Sequence, residues 1–126
     1  PRRRDRVIFG GLVPYGEVWR TGANEATEIT LTRPVRLAGN LVEAGTYALF
    51  TVPGRDSWTI ILNGVLGQWG AYDYDASADV LRFDVSSASS EEMHEAFTIS
   101  IEEGPRHASV KMVWENTVVS IPLAPA

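Results

Sequence analysis

The chain has 126 residues, 44% of them hydrophobic, enough for one domain with a real core. Its formal net charge of -5 excludes nucleic acid as a default partner, because phosphate binding wants a basic face. Cysteine is absent, which excludes disulfides, thiolate zinc sites and cysteine nucleophiles, and no run of about 18 apolar residues exists to span a membrane.

In chain order, the first feature is the basic cluster Arg2-Arg3-Arg4, with Asp5 and Arg6, which reads as a solvated terminal segment. Residues 15–29, YGEVWRTGANEATEI, then pack two aromatics, an arginine, two glycines, an asparagine and three glutamates into one stretch. Such variety exceeds what a connector needs. The planar fork of Arg20 suits bidentate carboxylate partners. Two readings follow. Either Arg20 pairs with Glu25 or Glu115 in a buried cluster covered by Trp19, or Arg20, Asn24 and Glu25 face a small polar ligand.

Alternation then takes over. TEITLT (27–32) places Ile29 and Leu31 on one face. VRL and LVE flank Ala38-Gly39-Asn40 as a short hairpin. TYALFTV (46–52) and SWTIILN (57–63) are joined by Pro53-Gly54-Arg55-Asp56, and this turn chemistry between apolar runs makes the clearest hairpin of the chain.

LGQWGAYDYD (66–75) groups Trp69, Tyr72 and Tyr74, whose flat faces either plug the end of a β-fold or stack on a ring-shaped ligand. Asp73, Asp75, Ser77 and Asp79 offer oxygens at alternate positions, with Asp84 further on, as a calcium loop does. Ala78 stands where that loop needs glycine, and the flanks are not helical, so an acidic surface loop is the preferred reading and no metal is assigned.

VLRFDV (80–85), FTISIE (97–102), ASVKMVW (108–114) and TVVSIPL (117–123) complete the strands. Between the first two, SSEEMHEA (89–96) has a serine cap and early acids and predicts a helix of at most two turns. Glu115-Asn116 predicts a tight hairpin between the last two strands. The whole reads as an all-β chain over 1–126, a single-domain antiparallel β-sandwich of jelly-roll-like type, with a tail at 124–126 and at most one short helix. His94 and His107 cannot form an i, i+4 metal pair, and no phosphate loop or nucleophile elbow is present, so no cofactor is predicted.

The blocks FGGLVPYGEVWRTGANEATEI, AGTYALFTVPGRDSWTIILN, LGQWGAYDYD…DVLRFDV and WENTVVSIPL resemble the signatures of a bacterial family catalogued as domain of unknown function 2911. The resemblance covers Pro1 to about Leu123. It implies an all-β domain with no established activity. It also implies an N-terminal export signal, hence a periplasmic or extracellular place, and a further strand ahead of the proline at which this chain starts. The chain, beginning without Met, reads as a trimmed or mature fragment. The recurring residues of the family fall here on Trp19, Arg20, Gly22, Asn24, Glu25, Trp69, Gly70, Tyr72, Trp114 and Glu115.

Three functions are compatible with these residues. The first is a non-enzymatic exported domain binding a small polar, carbohydrate-like or peptide ligand. Trp19, Trp69 and Tyr72 would form the wall, with Arg20, Asn24, Glu25 and Glu115 as polar anchors. The second is a glycosidase-like hydrolase with Glu25 and Glu115 as its carboxylate pair, which needs them roughly 5–10 Å apart. The third is an assembly module whose exposed sheet edge pairs with another chain, self-association included, or with its own strand upstream of Pro1.

Overall fold

The computed structural model describes residues 1–23, 25–68, 71, 74–103 and 108–126. Among these, seven strands form: β1 (Thr27–Leu31), β2 (Val35–Leu37), β3 (Asn40–Val42), β4 (Gly45–Pro53), β5 (Ser57–Asn63), β6 (Asp79–Glu103) and β7 (Ala108–Pro125). They make one sheet of order β1-β4-β5-β6-β7-β2-β3, antiparallel at every pairing. The described residues contain no α-helix, and a single 3-10 turn spans Ala76–Ala78.

The 25-residue β6 ties the sheet together. Its first part, through Ser86, pairs with β5, and its later part, from Ser87, pairs with β7. Side chains from both sides of this division meet in one buried cluster. Leu49, Trp58, Ile60 and Leu62 come from β4 and β5; Val110, Met112, Trp114, Val119 and Ile121 come from β7. The all-β antiparallel fold expected from the alternation is thus what forms, built as one continuous sheet.

β5 is apolar on both faces, because SWTIILN places Trp58, Ile60 and Leu62 on one side and Ile61 on the other. Ile61 joins Phe50, Ala48 and Ala26 in a second, smaller cluster on the opposite face, against which Val18, Ala71 and Tyr74 pack. The segments before β1 and after β5 therefore cover the outer face of the β4–β5 hairpin. That cover is where the candidate site forms.

Two local expectations fail, and for one reason. Residues 89–96 are not helical but belong to β6, and Glu115-Asn116 is not a hairpin but lies inside β7. Between the pairs Ser89–Thr117 and His94–Glu115, β6 advances five residues while β7 advances two. The surplus bulges out of the ladder. Its carbonyls are taken by side chains: Asn116 Nδ2 donates to Ser90 O (3.0 Å) and Glu92 O (3.2 Å), and Trp114 Nε1 donates to Glu95 O (2.9 Å). The turn chemistry of Glu-Asn serves the bulge instead of a chain reversal, with Glu115 at φ 52°.

Trp58 is fully buried and meets Phe9 and Trp19 edge-on, at centroid distances of 5.1 and 6.1 Å. Trp58→Ala should lower unfolding free energy by about 3–5 kcal/mol, read from a urea transition. A loss below 1 kcal/mol would contradict a single core shared by the two halves of the sheet.

Candidate functional site

Two segments ahead of β1 build the site. The first is the turn over residues 7–13. Leu12 N donates to Val7 O (3.0 Å), and Gly11 N and Val13 N both donate to Ile8 O (3.1 and 2.8 Å). A Cβ on Gly11 would lie 2.5 Å from Val7 O, so this close crossing needs glycine. The turn sends Ile8, Phe9 and Val13 into the core and leaves Leu12 and Pro14 on the pocket side.

Glu115 holds that turn in place. Its Oε2 accepts from Arg3 Nε (3.2 Å) and Ile8 N (2.9 Å), and its Oε1 accepts from Phe9 N (3.1 Å). The expected pairing of Arg20 with Glu115 is therefore corrected: the cation at Glu115 is Arg3. Arg3 belongs to the basic cluster that reads in sequence as solvated, and its recruitment follows from the β6 bulge opposite Glu115, which leaves that side chain facing the N-terminal turn. Both oxygens of Glu115 are thus engaged by donors of the chain itself.

The second segment carries Trp19 and Arg20. It runs along the edge of β4 beyond the end of β1, with Gly16 N bonded to Pro53 O (2.9 Å) and Trp19 and Thr51 exchanging both backbone bonds (2.7 and 3.0 Å). Then the chain reverses at Thr21, a fully buried β-branched residue at φ 58°. That conformation is held from three sides. Thr21 Oγ1 donates to Trp19 O (3.2 Å) and to Thr51 Oγ1 (3.2 Å), and Thr27 Oγ1 donates to Thr21 O (2.7 Å). Thr27 Oγ1 also explains Gly22, where a Cβ would sit 2.9 Å from it.

Trp19 becomes the hub of an aromatic cluster. It stacks on Trp114 (5.9 Å, 21°) and meets Phe97, Phe9 and Trp58 edge-on at 4.9, 6.1 and 6.1 Å. Arg20 is half-buried, with its Nε sealed from solvent and without a hydrogen-bond partner among the described residues. No ion pair among those residues involves it. Glu25, the other expected partner, is exposed.

Beside Arg20 lies a pocket of about 410 Å³. Leu12, Val13, Pro14, Trp19 and Trp114 supply its apolar wall, and Arg6, Glu17 and Arg20 its charged side chains. Arg6 is fixed by its own turn, donating from Nε to Arg3 O (2.9 Å) and from Nη2 to Arg2 O (2.8 Å). Of the sequence-derived site residues, Trp19 and Arg20 line this pocket, whereas Glu25 and Glu115 do not. Asn24, Trp69 and Tyr72 lie outside the described residues. Sequence reasoning missed Arg6, Phe97, Thr21 and Thr51. The two threonines could have been found only by asking what buries a hydroxyl beside Trp19.

The calcium-like spacing resolves into separate local bonds. Asp75 Oδ1 accepts from Ser77 N (2.9 Å) and Ser77 Oγ (2.7 Å), capping the 3-10 turn, and these bonds lower the Asp75 pKa. Asp79 accepts from Asn63 Nδ2 (3.0 Å) and Tyr74 Oη (2.6 Å) and pairs with Arg82 (3.5 Å). Asp84 accepts from Thr59 Oγ1 (2.6 Å). Asp73 and His107 lie outside the described residues. Among the described residues, no three acidic or histidine side chains gather as a metal set, and no helix is long and apolar enough to cross a membrane.

Glu115→Gln should cost about 2 kcal/mol of stability, because a charge-assisted cluster is replaced by a neutral amide that accepts at only one of its two positions. Equal denaturation midpoints for the two proteins would contradict this grip. Tyr74 yields a pH prediction. Burial first, and then the bond to Asp79, raise its pKa above the ordinary 10.0, with the Arg82 hydrogen bond opposing. A raised folded-state pKa contributes stability below the unfolded value that is lost as pH rises through the folded one. Stability should therefore decline above pH 10 in the wild type, and Tyr74→Phe should lack that component. Identical alkaline slopes would refute the assignment.

A family model described as a protein of unknown function, DUF2911, matches residues 1–123, and the chain belongs to that family. Neither curated proteins nor solved structures give a match.

Proposed function

We propose that this member of the DUF2911 family is a binding module whose pocket beside Trp19 and Arg20 takes a small polar ligand. The observation that carries the reading is Arg20. A guanidinium has five donors and no acceptor, and a sealed Nε without a partner is costly unless something else offsets it. Arg20, whose Nε has no partner among the described residues, lines a pocket of about 410 Å³, within the ordinary size of small-ligand sites. The apolar wall around it, with a few fixed polar groups, is the composition such sites use.

The wall differs from the one the sequence suggests. Trp19 remains, joined by Trp114 from β7 and by Leu12 and Pro14 from the N-terminal turn. Arg6 joins Arg20 as a polar anchor. The proposal includes an exported location, periplasmic or extracellular, which rests on the chain's resemblance to a bacterial family whose members usually carry an N-terminal export signal.

Arg20→Ala decides between a binding group and a structural clasp. The expected outcome is a folded domain, with its melting temperature within a few degrees of wild type, that no longer responds in a thermal-shift screen of metabolites and glycans. A wild-type hit at 100 times its dissociation constant should add about 2.7 kcal/mol of stability. An Arg20→Ala protein that unfolds in buffer would instead assign Arg20 to the fold.

A further inference from the structure

We infer, resting on the pocket reading above, that the ligand is an anion: a carboxylate or phosphate oxygen group carried on an apolar body. The charges of the wall point this way. The chain as a whole carries -5, yet among the described residues the pocket brings together two arginines, Arg6 and Arg20, against one carboxylate, Glu17. A local excess of positive charge in an acidic domain is the opposite of what the average surface would supply. In a partly enclosed site it acts through less screening than at the open surface.

The donor count is equally one-sided. Arginine offers donors only, so two arginine side chains call for acceptor oxygens. A sugar hydroxyl needs an acceptor as well as a donor at most positions, and among the described charged wall residues only Glu17 offers acceptors. A carboxylate or phosphate group brings acceptor oxygens and asks for no acceptor in return. Planar guanidinium groups bind such oxygens in pairs.

The Arg6 side chain, and the backbone that carries Arg20, are held before any ligand arrives. Arg6 is pinned to Arg2 O and Arg3 O through Nε and Nη2. Arg20 emerges from the backbone reversal that Thr21, Thr27 and Thr51 fix. Groups fixed in advance lose little freedom on binding. Beside them the stacked pair Trp19–Trp114, with Leu12 and Pro14, gives the remainder of the ligand an apolar contact.

The test uses four probes on the domain: benzoate, phenyl phosphate, benzamide and methyl β-glucoside, with binding followed by titration of the tryptophan indole N–H resonances. Benzoate or phenyl phosphate is expected to bind at least tenfold more tightly than benzamide or the glucoside, and which of the two anions leads identifies the headgroup. Arg20→Ala and Arg6→Ala should each weaken the preferred anion by tenfold or more. Arg20→Gln, which keeps a polar side chain of similar length, guards against a folding defect in the alanine variant and should show the same loss. Raising salt from 0.1 to 0.5 M should weaken the anions and leave benzamide unchanged. If benzamide or the glucoside binds as tightly as the anions and still depends on Arg20, the anion inference falls while the pocket stands. Should all four probes leave the indole resonances unmoved at millimolar concentration, the pocket reading falls and the inference with it.

Discussion

Glu115 accepts hydrogen bonds from Arg3, Ile8 and Phe9, at sequence separations of 106 to 112 residues. Much else in the molecule hangs on that grip. It seats Phe9 against Trp58, Trp114 and Trp19, and the same turn carries Leu12, Val13 and Pro14 to the pocket. The bulge between β6 and β7 is what places Glu115 there. Without the surplus residues of β6, the ladder would run straight through position 115. A defect in the sheet is thus converted into the anchor for a segment that has no long strand of its own.

Thr21 is the second constraint. A non-glycine residue in the left-handed region costs about 1–2 kcal/mol, and a β-branched one is rarer still. The neighbouring threonines and the burial of the side chain hold it there, and the reversal separates Trp19, pressed into the aromatic cluster, from Arg20, left half-buried without an ion-pair partner among the described residues. Strain of this kind gathers where a side chain must be presented at an otherwise unfavourable angle.

Strand alternation and turn chemistry were legible along most of the chain. SWTIILN fills β5 to the residue, and Pro53 through Asp56 joins it to β4 as the turn residues require. Ala38-Gly39 closes β2 onto β3, with both residues at positive φ. What sequence could not supply was the identity of long-range partners. Glu-Asn has the chemistry of a turn and of a bulge, and only the mismatch with β6 decides which forms. Arg20 and Arg3 look alike as arginines. Which one meets Glu115 depends on where the bulge points, a tertiary fact. Trp19 and Arg20 could be picked out as neighbours of unusual chemistry, but the turn that supplies the rest of the wall carries no polar signature. Leu12 and Pro14 read as ordinary apolar residues.

The order in which the chain is made gives the Glu115 contact a further consequence. Ile8, Phe9 and Trp19 leave the ribosome long before residue 115, at roughly 5–20 residues per second, and must wait some seconds for the group that seats their turn. During that interval Phe9 and Trp19 have Trp58 to pack against but lack Trp114 and the carboxylate that seats their turn. Closing so long a loop also makes the final step slow relative to hairpin formation between β4 and β5. The N-terminal turn thus stays without its anchor until β7 is present, although β1, β4, β5 and the first part of β6 can already pair.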